Sequence, residues 1–245
     1  MPQQRSTMNR RRFLTAAAKA STVFALPMVV PGRVLGLDGG VAASERIALA
    51  GLGIGGRGGY VLGVMMDEPA IQFVAIADPQ KARREGVKQR AEQKYGPGVE
   101  MYRDFREMLP REDIDAVLIA TGDRWHAPLS ILAAKAGKDI YCEKPVSLTI
   151  GESRAMADTM ARYGTVYQAG HQRRSVASYA FQVEAARSGM IGKVHTVICQ
   201  VWEGPTVALD TQRPVPEGFD YDMWLGPTPW HPYVPAYVNG WNYFW

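Results

Sequence analysis

The first residues able to do chemistry are glycines and an acid. Gly51-Leu-Gly53-Ile-Gly-Gly56 fits the spacing G-x-G-x-x-G. In that motif the first glycine permits a tight turn and the second lets the backbone approach a pyrophosphate. The third lets a helix pack closely on a strand, with the helix N-terminus facing the phosphates. Gly53, Gly55 and Gly58 fit the same spacing. The first register is preferred because Gly51 directly follows the apolar run Arg46–Ala50. Asp78 lies about 20 residues further on, where a carboxylate binds ribose hydroxyls. It also precedes Pro79, a position suited to capping a helix, and the two roles are compatible. A carboxylate repels a 2′-phosphate, which favours NAD. Lys81, Arg83 and Arg84 keep NADP as the alternative, with Arg83 and Arg84 read as solvated helix charges.

These residues need strands to present them. Apolar runs at Arg46–Ala50, Ile71–Ala77, Val99–Tyr102, Asp115–Ala120, Asp139–Cys142 and Thr165–Ala169 read as strands. Helical stretches alternate with them: one from the glycines to Met66, then Gln80–Tyr95, Asp104–Leu109, Pro128–Ala136 and Thr149–Tyr163. Near-continuous apolar strands alternating with helices imply a parallel sheet covered on both faces. The expected fold is therefore α/β, a doubly wound parallel sheet of the Rossmann type followed by an incomplete α/β second domain. The expected organisation is a leader over 1–44, a dinucleotide-binding domain over 45–168 and a partial substrate and oligomerisation domain over 169–245.

Charge excludes one class of partner. The 245 residues carry Lys+Arg 28 against Asp+Glu 24, net +4. Residues 1–44 hold Arg5, Arg10, Arg11, Arg12, Lys19 and Arg33 against Asp38, so the remainder is net −1. No basic patch is left to neutralise the phosphates of a duplex, which argues against nucleic-acid binding. Cys142 and Cys199 cannot form a disulfide framework, and no Cys/His cluster suggests a metal. Within the leader, Arg10-Arg11-Arg12-Phe13-Leu14 precedes an apolar stretch from Ala16 to Val30, broken by Lys19 and Pro27. It is short for a membrane span and is similar to a twin-arginine signal. Ala42-Ala43-Ser44 is the expected end of that signal; an uncleaved anchor is the alternative. This route exports folded proteins, which suits one that captures a cytoplasmic cofactor first. The expected partner is the twin-arginine export machinery, and the expected location is the periplasm.

Two further segments carry a family resemblance. Thr121-Gly-Asp-Arg-Trp-His126-Ala-Pro and Gly137-Lys-Asp-Ile-Tyr-Cys-Glu143-Lys144-Pro145, with the glycine loop, resemble the Gfo/Idh/MocA oxidoreductases. Gly-His171-Gln-Arg173-Arg174-Ser is similar to that family's entry into its second domain. The resemblance implies hydride transfer between NAD, or NADP, and a sugar, inositol or related polyol. It implies Lys144 as the catalytic residue, at the carboxyl end of a strand, where an ammonium stabilises a developing alkoxide or relays a proton. Pairing with Glu143 is the purely structural alternative for Lys144. Pro145 is suggested, by analogy, to follow a cis peptide bond. Gly51, Gly53, Gly56, Asp78, Thr121, His126, Glu143 and Arg174 are the implied cofactor-binding residues. His126 has an equally good reading as a capping or packing residue.

The tail reads differently. Ser178–Ser188 is an expected helix and Lys193–Val201 an expected strand. Five of the six tryptophans lie from Trp202 onward, so Asp222–Trp230 reads as a loop docked by aromatic anchors. Sugar stacking by those rings is a second reading. Family members are usually longer and carry a downstream Gly-Gly-x-x-x-Asp-x-x-x-His type motif. Its absence marks the chain as an expected amino-terminal fragment of a protein that oligomerises at full length. Two other functions stay open: a nucleotide-binding module without turnover, and a lyase or glycosidase that uses bound NAD transiently.

Overall fold

The structure, a computed structural model, describes residues 36–37, 41–200 and 211–240. The leader arginines, Trp202 and the final Trp241–Trp245 lie outside the described residues. The chain divides into two units, Met1–Glu45 and Arg46–Trp245. In the first, Ala43–Glu45 forms a 3-10 turn.

The second unit is built on six parallel strands: β1 (Ile47–Leu52), β2 (Ile71–Ala77), β3 (Glu100–Tyr102), β4 (Ala116–Ile119), β5 (Asp139–Glu143) and β6 (Tyr167–Gly170). Their order is β3-β2-β1-β4-β5-β6. The chain therefore winds one way from β1 to β3 and the other way from β4 to β6. The crevice between the carboxyl ends of β1 and β4 is where ligands meet such sheets.

Strand alternation splits the core into two layers. Ala50, Leu52, Val117, Ile119 and Cys142 face one side, packed by Phe105, Met108, Leu129 and Ala133. These come from α3 (Phe105–Met108) and α4 (His126–Lys135). Leu49, Phe73, Ile76 and Leu118 face the other, under α1 (Gly56–Met66) and α2 (Lys81–Tyr95) through Val61, Leu62 and Ala91. A buried branched side chain of this kind stabilises by about 1.5–3 kcal/mol. α5 (Ile150–Tyr163) starts with a capping box between Thr149 and Glu152 and stops at Gly164, which is left-handed at φ 69°.

Beyond β6 the chain departs from expectation. α6 (Ala177–Arg187) forms within one residue of its expected ends, but Phe181 and Val183 on it are exposed. The expected strand Lys193–Val201 is absent over residues 193–200, which have no regular secondary structure. A strand exists only when an edge pairs with it, and among the described residues none does. Further on, α7 (Tyr221–Leu225) and α8 (Pro235–Asn239) share a small aromatic core of Tyr221, Leu225 and Val238 with Phe219, Trp224 and Tyr233. The preceding turn is laced to the β2–α2 connection. Lys81 N–H donates to the Gly218 carbonyl at 2.8 Å and Asp220 N–H to that of Pro79 at 3.0 Å.

Candidate functional site

A cavity of about 670 Å³ opens at the β1/β4 crevice, lined by the turns after β1, β2, β4 and β5 and by Met223, Trp224, Val238 and Asn239. Each wall has a local cause.

The turn after β1 draws on glycines of both registers. Gly51 lies inside β1 rather than directly after it, and a Cβ there would stand 2.7 Å from Ile54 Cγ1 and 3.2 Å from Phe73 Cζ. Gly53 makes the turn at φ 67°, and a Cβ there would overlap Thr121 Cγ2. Gly55 is the N-cap of α1 and lines the cavity, with no side chain capping the helix. A Cβ on Gly58 would stand 2.7 Å from Ala120 Cβ, so this glycine sets the helix–strand approach. A Cβ on Gly56 would meet nothing. The uncapped N-terminus of an 11-residue helix, with its N-cap a glycine facing the crevice, suits an anion.

Asp78 directly follows β2 and is buried against the cavity. Its Oδ1 accepts from Gln80 N–H at 2.8 Å, while Gln80, not Asp78, is the N-cap of α2. Burial raises its pKa above the ordinary carboxylate value, partly offset by the Gln80 N–H, Arg83 and Arg84. Arg83 reaches over Gly55 and lines the cavity, and Arg84 donates to the Asp78 carbonyl. Neither is therefore simply a solvated helix charge.

After β4, Thr121 and His126 both line the cavity. His126 is almost fully buried. Its Nδ1 lies 2.5 Å from the Pro145 carbonyl and its Nε2 3.2 Å from the Thr121 carbonyl. Both ring nitrogens thus meet protein oxygens, which favours the packing role over cofactor contact.

Glu143, the last residue of β5, is buried, and Lys144 after it is exposed along the cavity wall. The Lys144–Pro145 peptide is cis. Glu143 pairs with Arg57 on α1, Nε to Oε1 at 3.2 Å, and not with Lys144. Among the described residues no ion pair involves the Lys144 ammonium. Arg174 lies in the exposed 3-10 turn Gln172–Ser175 and does not line the cavity. The chain turns there before reaching the crevice, so Arg174 is not brought to the other site residues.

Two arginines at the site were not among the sequence candidates. Arg57 is the second residue of α1. Arg124 is buried between β4 and α4, its Nε 3.1 and 3.0 Å from the Trp224 and Leu225 carbonyls and its guanidinium 4.1 Å above the Trp224 ring. Burial lowers its pKa to about 10. Trp125 Nε1–H donates to the Met223 carbonyl at 3.1 Å. Trp224 is thus an anchor, as expected of this loop, whereas Trp230 is exposed.

A glycine turn under an open helix N-terminus, with a buried carboxylate at the next strand end, fits a dinucleotide, and a doubly wound sheet holds it. Residues 46–171 match the family described as "Oxidoreductase family, NAD-binding Rossmann fold". The chain belongs to this family, Gfo/Idh/MocA, and its cofactor is NAD. It is 33% identical over 151 residues to scyllo-inositol 2-dehydrogenase (NAD(+)) of Bacillus subtilis (strain 168), covering 61% of this chain and 42% of that protein. It is 30% identical over 158 residues to the rhizopine catabolism protein MocA of Rhizobium meliloti, covering 64% and 48%. Scyllo-inositol dehydrogenase from Lactobacillus casei, solved with bound NAD(H) and scyllo-inositol, is 25% identical with a TM-score of 0.54, over 60% of this chain and 43% of that one. Myo-inositol 2-dehydrogenase from Lactobacillus plantarum is 25% identical at a TM-score of 0.56, over 61% and 43%. The chain therefore spans less than half the length of these relatives.

Proposed function

We propose that the protein is an NAD-dependent oxidoreductase acting on an inositol, sugar or related polyol. The observation that carries this reading is the placement of an unpaired Lys144 ammonium and the glycine turn on one cavity. The backbone of Gly53–Gly56 would hold the pyrophosphate, and Asp78 would accept from the adenosine ribose hydroxyls. Thr121 and the Glu143–Lys144 turn would border the nicotinamide end. NAD, when bound, supplies the hydride acceptor. Lys144 Nζ, as the neutral amine, accepts the proton of the reacting hydroxyl while the hydride leaves the carbon; the ammonium so formed hydrogen-bonds the oxygen and then gives a proton to water. Similarity to inositol dehydrogenases supports the substrate class. Because the chain spans less than half the length of its relatives, the activity and any self-association are proposed for the whole protein. The paired arginines of the leader support export through the twin-arginine route to the periplasm with cofactor already bound. A reporter fused after Ser44 should stop being exported when Arg10 and Arg11 are both changed to Lys; continued export overturns that part.

A second reading has its own observation. The chain is 30% identical over 174 residues to glycosyl hydrolase family 109 protein 1 of Shewanella sp. (strain ANA-3), covering 63% of this chain and 37% of that protein. Incubation with NAD and a panel of inositols, sugars and glycosides separates the two. Accumulating NADH with a polyol supports the dehydrogenase. Product without net NADH supports cleavage, and NADH binding without any turnover leaves a binding module.

A further inference from the structure

Glu143 is a buried carboxylate, and a buried carboxylate needs a cation or it destabilises the fold. Two cationic residues flank it: Lys144, the next residue in the chain, and Arg57, which reaches it from across the crevice. The side chain of Glu143 is 5% exposed and pairs with Arg57 Nε at 3.2 Å. Its other oxygen, Oε2, accepts from the Lys144 backbone N–H at 3.2 Å. The carboxylate is boxed on its far side, because a Cβ on Gly170 would stand 3.2 Å from Glu143 Cδ. Arg57 is itself steadied with its guanidinium 5.0 Å from the centre of the Tyr60 ring.

We infer that Arg57 is the positioning residue for Lys144: by occupying Glu143 it keeps the neighbouring ammonium unpaired on the cavity wall. This rests on the role proposed above for Lys144. An ammonium drawn into an ion pair with Glu143 is held away from substrate and is harder to deprotonate. The arginine fork suits the buried pair because it stays charged and binds carboxylates in a fixed plane. The other titratable groups bordering the turn are Tyr141 and Cys142 on β5, His126 through Pro145, and His171 after β6.

The test needs no cofactor. The rate of acetylation of Lys144, read by mass spectrometry of the intact 245-residue chain across a pH series, gives the pH midpoint of its amine. In Arg57→Gln the midpoint should rise by about one pH unit, a tenfold slower reaction at fixed pH below it. Adding Glu143→Gln to that variant should return the midpoint to the wild-type value, and Arg57→Lys should hold it there. A folded Arg57→Gln variant with the wild-type midpoint overturns the inference. Should Arg57→Gln not fold, Glu143→Gln alone decides. It frees the Arg57 charge beside Lys144, so the midpoint should fall, and an unchanged midpoint overturns the inference. NADH binding by the wild-type chain is measured separately; its failure counts against the proposed function and leaves the acetylation result standing.

Discussion

His126 and Pro145 are joined between the turns after β4 and β5, the imidazole Nδ1 lying 2.5 Å from the proline carbonyl. The opposite nitrogen meets the Thr121 carbonyl at 3.2 Å. One ring therefore ties the turn after β4 to the turn after β5, the two segments that border Lys144. Both partners are carbonyl oxygens, which accept, so a ring nitrogen bonds to either only while it carries a proton.

Replacing this ring should cost stability. His126→Ala removes a buried side chain and leaves two carbonyls without their partner. An expected loss of about 2–4 kcal/mol follows from the cavity and the lost hydrogen bonds. Urea unfolding checks it, and a loss under half a kilocalorie would contradict the bridging role.

Glycine positions should separate by register. Gly53→Ala forces a side chain into the left-handed region and against Thr121, at a cost of about 1–2 kcal/mol before any clash. Gly58→Ala pushes α1 off β4 at Ala120. Both should lower the melting temperature and weaken NADH binding. Gly56→Ala meets open space and should leave the melting temperature unchanged or slightly raised. The reverse ranking would place the close helix–strand approach at Gly56, as the Gly51, Gly53, Gly56 register has it.

Asp78 should trade stability for binding. Burial raises its pKa, so at neutral pH the folded state carries a carboxylate that is less well solvated than in the unfolded chain. The raised pKa means stability is greatest below the unfolded value near 3.8 and declines as pH rises through the folded one. Asp78→Asn keeps the Gln80 contact and removes the charge. Its melting temperature at pH 7 should exceed wild type while NADH affinity falls. A lower melting temperature would show that the charge is compensated in the fold.

Cys142 should make the fold labile to alkali. Burial in the core pushes its thiol up from 9.0 to about 11. A raised pKa gives stability that is complete below pH 9 and lost as pH climbs toward 11. Two units correspond to roughly 2–3 kcal/mol. Unfolding free energies at pH 8 and pH 11 should show that loss in wild type and a smaller one in Cys142→Ala. Equal losses would move the alkaline lability to Tyr167 and Tyr221, whose hydroxyls burial also raises.

Much of the sheet could be read from the chain because the signals were local. Ala116–Ile119 is an apolar run bounded by Asp115, and α5 carries its own start and stop in Thr149, Glu152 and Gly164. α4 begins at His126, ahead of the expected Pro128, because a proline in the first turn forfeits no helical hydrogen bond. The end of β1 was misread by two residues because the strand runs on to Leu52, and an apolar run containing glycine does not mark its own end. Arg57 and Arg124 were invisible for a different reason. Their partners lie 86 and 100 residues away, and nothing local distinguishes a paired arginine from a solvated one. Arg174 shows the converse, a motif position whose neighbours turn it outward. The Lys193–Val201 pattern has strand character, but residues 193–200 meet no edge among the described residues.

The central claim is that a dinucleotide diphosphate rests on the backbone at Gly55. A side chain there would meet only the mobile end of Arg83 at 2.5 Å, so Gly55→Val should fold as wild type does while filling the phosphate cradle. Trp125 and Trp224 line the same cavity and report binding by energy transfer to NADH. Titration should give saturable binding to wild type and at least about tenfold weaker binding, some 1.4 kcal/mol, to the valine variant. Equal affinity in the two, or no binding to wild type, would contradict the claim.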